Sequence, residues 1–332
     1  MAPAYRRLGY RIAAPATSAA WLGCSIFALG TYKPHRIVHN TIGVLQASSV
    51  VPVVWAAARV LADASDEERL PHRRLNLALA TACAWSCITV LFAPILTAAT
   101  VRTVDPVTYP PLLRAAAAAV HGATTLLCVD AWRSTTRPPR FDRAASGFFG
   151  ALLRVGAGPA SDADADADAS AQRAPSAEPL WSFLSLSFGA FSGIAVFAPF
   201  PLATVPSLLG KRLARAFGAW LWLSACVCFV LGSDAREKEA AGPSESPSGL
   251  AAPDGARLSH AVGWMATAHI AVAVARPILE HGRGVYPAAV ACKPAVAASL
   301  VVYALAARAG WPLFAAGSRG PSEEPRSTSA RC

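Results

Sequence analysis

The stretch LNLALATACAWSCITVLFAPILTAATV, Leu75–Val101, decides the fold. It holds no Asp, Glu, Lys or Arg. It exceeds the run of about 20 apolar residues that crosses a hydrocarbon core of about 30 Å. Leu180–Ala198 is equally free of charge. Working outward from these two, Ile12–Tyr32 and Thr41–Ala62 precede the first, and Leu112–Ala131 follows it. Leu213–Leu231, Leu258–Leu279 and Val285–Ala306 follow the second. Arg114 and His121 interrupt the fourth block, and Lys293 the eighth. The sequence therefore predicts an all-α, polytopic helical membrane protein with about eight transmembrane helices in two four-helix halves.

Composition agrees. Hydrophobic residues are 54% of the 332 and charged residues 15%, with a mean hydropathy of +0.39. A typical soluble domain carries about 25% charged residues. The net charge of +10 could point to nucleic acid, but the basic residues flank the apolar blocks and form no separate basic domain. There they meet lipid head groups and set topology. The lipid bilayer is the expected partner, with other membrane subunits as a second, and nucleic acid is not expected.

Placing the N-terminus on the positive side gives that side 20 of the 30 Lys and Arg. The other side receives nine, and Lys293 lies within a block. Loops on the cytoplasmic side carry such an excess. Both termini are thus expected on the cytoplasmic side, or its organellar equivalent. Ile12–Tyr32 is longer than the apolar stretch of a signal peptide, so a retained anchor is expected. An acid-poor, Arg-bearing start keeps organelle targeting open.

The chain divides into residues 1–135 with helices 1–4, 136–179, 180–316 with helices 5–8, and a tail at 317–332. The segment 136–179 holds an amphipathic stretch, Phe141–Arg154, suited to the membrane interface. It also holds an alternating Asp–Ala run from Ser161 to Ser170, read as a disordered linker. Ser233–Arg257 and the tail are read as disordered too. Ser86–Pro94 resembles Ser192–Pro199 with one gap, which makes a parallel duplication of the halves one reading. In the fifth block Ser185, Gly189 and Gly193 recur every four residues, the spacing at which small residues admit a close helix neighbour. Trp132, Trp181, Trp311, Tyr32, Tyr109 and Tyr286 fall near block ends, where an aromatic belt belongs.

Chemistry is sparsely signalled. Seven of the eight cysteines lie within apolar blocks, as small apolar fillers. Cys83 and Cys87 share a helix face, and His35 and His39 have ligand spacing, but neither pair is a metal site by itself. No cofactor motif is present, and no catalytic metal or nucleophile motif. What remains is ionisable residues at membrane depth. His121 is central to the fourth block, His269 to the seventh, and Lys293 lies eight residues into the eighth. A lysine at a helix centre costs about 2.5–3.5 kcal/mol on insertion scales, so such residues face the bundle interior or snorkel. Three function classes fit: a small-solute or ion transporter first, a structural or assembly subunit of a membrane complex second, an intramembrane enzyme third. A cavity lined by His121, His269 or Lys293 favours the first.

Overall fold

The computed structural model describes residues 4–32, 37–64, 70–91, 109–133, 178–197, 208–241 and 250–281. They form α1 (Ala4–Tyr32), α2 (Ile37–Ser48), α3 (Val51–Asp63) and α4 (Leu70–Leu91). There follow α5 (Pro111–Arg133), α6 (Glu178–Phe197), α7 (Leu208–Ala241) and α8 (Ala252–His281). Among the described residues there is no strand. Six segments are long and apolar enough to cross a membrane: Ala4–Thr31, Thr41–Asp63, Pro71–Leu91, Pro111–Trp132, Leu180–Phe197 and Arg212–Arg236. Leu112, Leu126, Phe191 and Phe197 stand exposed on these helices, a surface suited to lipid and costly in water.

The seventh block lies on α8, with some of its side chains outside the described residues. The eighth block and Lys293 lie outside them altogether, as do residues 92–101, Phe141–Arg154, the Asp–Ala run and the tail.

Three helices depart from the expected bounds. α1 begins at Ala4, eight residues ahead of Ile12. Its first turns dock on the end of α5, where Tyr5 Oη and Arg6 Nε both donate to Asp130 Oδ2, at 2.8 and 3.0 Å. α7 runs on to Ala241 and α8 starts at Ala252, so the expected loop Ser233–Arg257 is helical at both ends. Arg236-Glu-Lys-Glu-Ala240 consists of strong helix formers, which carry α7 past its apolar part. The Leu250 amide donates to Asp234 Oδ1 at 2.7 Å and ties the start of α8 back to α7.

The second apolar block is one span but two helices. Pro52 has no N–H for the Ser48 carbonyl four residues back, and its ring crowds that carbonyl. The helix breaks at Ser49–Val50. Backbone groups freed inside an apolar region need partners. The Trp21 indole N–H donates to the Ala47 carbonyl at 2.7 Å, and the Ser49 hydroxyl to the Gln46 carbonyl at 2.6 Å.

One cluster of buried side chains runs through α1, α3, α4, α5, α6, α7 and α8. α7 packs against both α6 and α4, and α5 against α1 and α4. Polar cross-links thread this core. Tyr10 Oη donates to Asn76 Oδ1 at 2.8 Å, and Asn76 Nδ2 to the Cys128 carbonyl at 2.9 Å, tying α1, α4 and α5. Trp181 belongs to this core and Tyr109 to a smaller cluster beside it. At 8% and 4% exposure, neither stands in an outward aromatic belt.

Candidate functional site

On α6, the Ser185 hydroxyl donates to the Ala225 carbonyl of α7 at 2.9 Å. A Cβ at Gly189 would stand 4.0 Å from the Ala225 Cβ, and one at Gly193 would meet nothing within 4 Å. The tighter approach is on the opposite helix. A Cβ at Gly218 of α7 would come within 2.8 Å of Val196 and 3.1 Å of the Ser192 carbonyl. The Ser192 hydroxyl donates to the Gly218 carbonyl at 2.7 Å. The Ser185, Ser192 and Gly218 contacts hold α7 in place, and α7 carries the residues that matter next.

His121 sits ten residues into α5, about 15 Å along the axis at 1.5 Å per residue, and is 2% exposed. His269 sits on α8, facing the α2–α3 break. The two do not meet. A row of rings stands between them. His121 lies 5.7 Å from Trp220, Trp220 6.2 Å from Trp21, Trp21 6.2 Å from Phe217, and Phe217 5.8 Å from His269. No single cofactor or ion is held by both histidines in this arrangement.

The two ends of the row differ. His269 Nε2 is 3.1 Å from the Ser49 hydroxyl, so its ring braces the broken helix. His121 Nδ1 has no hydrogen-bond partner among the described residues. The same holds for Ser86 Oγ, Trp220 Nε1 and Arg212 Nε, all buried. His121, Ser86 and Arg212 line one small cavity together with Trp21, Cys24, Thr89 and Tyr109. Its volume is about 10 Å³, room for roughly one water-sized sphere. Buried polar groups are nearly always satisfied, so four orphans in one neighbourhood call for an explanation.

Arg212 is the residue that sequence reading missed. In the sequence it belongs to a basic cluster with Lys211 and Arg215, at a block end where topology charges belong. The fold leaves it 4% exposed. The signal available was spacing. Arg212, Ala216, Ala219 and Leu223 fall on one stripe of α7, and all are buried. Burial pushes the Tyr109 phenol up from its ordinary value, so it stays protonated and able to donate. Among the described residues no three His, Cys, Asp or Glu side chains gather as a metal site. No family model, curated protein or solved structure matches the chain.

Proposed function

We propose that the chain is a membrane transporter for a small solute or ion, with its polar site beside His121. The observation that carries this reading is the cavity bordered by unpartnered polar atoms within apolar helices. A purely structural bundle has no use for such groups, since each orphan costs about 1–3 kcal/mol. In this reading His269 steadies the break, Lys293 lies on an eighth span in the second of two four-helix halves, and both termini face the cytoplasmic side. The gathering of Arg11, Arg59 and Arg257 at one end of the bundle supports that sidedness.

The test is reconstitution of the full chain into liposomes, with osmotic light scattering after a jump in a panel of salts and small neutral solutes. Flux above protein-free vesicles is expected. His121→Ala and Lys293→Met should lower it at least tenfold, with insertion unchanged. No flux for any solute, with wild-type stability in both variants, would transfer the chain to the assembly-subunit class.

A further inference from the structure

The cavity beside His121 has a definite electrostatic character. Among the described residues, the one charged group that lines it is Arg212, a cation. A guanidinium keeps its charge at any physiological pH. Among the described residues no carboxylate lies within ion-pair distance of it. Tyr109, just before α5, and Arg212, in the second turn of α7, line the same cavity.

Two occupants fit the volume. A water molecule can satisfy the Ser86 hydroxyl and His121 Nδ1, but it leaves a buried guanidinium with no counter-charge among the described residues, which is costly. A small monovalent anion satisfies both the donors and the charge. We propose that this cavity binds a single small monovalent anion of halide size, with Arg212 as counter-charge and Ser86, His121 and Tyr109 as neutral hydrogen-bond donors. The inference rests on the transporter reading and names the class of its cargo. Metal cations are repelled by Arg212.

The test uses the purified full chain in detergent. Its thermal midpoint is followed while sodium chloride or bromide replaces sodium gluconate at constant ionic strength. A ligand that binds only the folded state raises the midpoint with its concentration. A saturable rise of a few degrees with either halide is expected. Arg212→Gln should lose this rise. Arg212→Met should melt in gluconate at or above the wild-type midpoint, because the uncompensated charge is gone. Should both fail to fold, Ser86→Ala supplies the reading, with an apparent halide affinity about five- to tenfold weaker. An equal rise in chloride and gluconate, or an undiminished halide response in Arg212→Gln or Ser86→Ala, overturns the anion site. Chloride-electrode efflux from loaded liposomes separates this inference from the one it rests on. A halide-specific rise without efflux keeps the anion site and removes transport. Flux of other solutes without a halide-specific rise keeps transport and removes the anion site.

Discussion

The two ends of the helix bundle use arginine in opposite ways. At one end Arg6 meets Asp130 at 3.0 Å, while Arg11, Arg59 and Arg257 converge on Asp63 at 3.5, 2.9 and 3.0 Å. These pairs join α1 to α5, and α1 and α8 to α3. At the other end Arg212 is buried, and among the described residues it has no carboxylate. The first set of arginines explains itself by what it holds together. Arg212 does not: among the described residues nothing offsets its charge, and the proposed anion site rests on that. A residue's type and its distance from a span end are the same in both cases. The partner decides the role.

The comparison can be attacked first through the helix that carries Arg212. Gly218→Ala places a Cβ where Val196 and the backbone of Ser192 already stand, so α6 and α7 must move apart. Overpacking of this kind costs about 1–3 kcal/mol. Thermal unfolding should show that loss. The halide response should weaken with it, since Arg212 rides on the displaced helix. Gly193→Ala, which meets nothing within 4 Å, should change stability by less than about 0.5 kcal/mol.

The next effect is smaller and tests the other end of the ring row. Ser49→Ala removes the hydroxyl that caps the Gln46 carbonyl and meets His269 Nε2. A lost hydrogen bond of this kind costs about 1 kcal/mol. Stability should fall by that amount while the halide response stays intact. Loss of the halide response in Ser49→Ala would show that the two ends of the row act as one site.

The sequence makes some of this visible. Six apolar blocks coincide, wholly or in part, with helices that can span, because hydrophobicity over about 20 residues is a local property. The break at Ser49–Val50 was legible too, since Pro52 marks it, yet hydropathy alone reads Thr41–Ala62 as continuous. His121 and His269 could be picked out as ionisable residues at depth. What the sequence could not supply is who faces whom. Three aromatic rings separate the histidines, and those rings come from α1 and α7. Arg212 has the look of a topology charge because its burial depends on how α4, α5 and α7 close around it. The helical ends of the expected loop Ser233–Arg257 were hidden for another reason. Their polar residues read as disorder, although the same residues favour helix.

The smallest expected effect bears most directly on the contrast between the two ends. Asp63→Asn keeps the shape of the side chain and removes the charge that three arginines share. Asp63 is 27% exposed and its partners 44–53%. Water therefore screens these pairs, and each exposed pair contributes only about 0.2–1 kcal/mol. The asparagine still offers one oxygen to the arginines. The expected loss is about 1 kcal/mol or less at low ionic strength, and it should shrink further as salt shortens the Debye length to about 8 Å. The identity of the anion should make no difference, since screening depends on ionic strength alone. Arg212 predicts the reverse on both counts. Removing its charge in Arg212→Met should not destabilise the halide-free protein, and the wild-type response should follow which anion is present at fixed ionic strength. If Asp63→Asn changed the halide response as Arg212→Gln does, the two ends would be electrostatically one system. The distinction between arginines that clamp helices and an arginine that awaits a ligand would then fall.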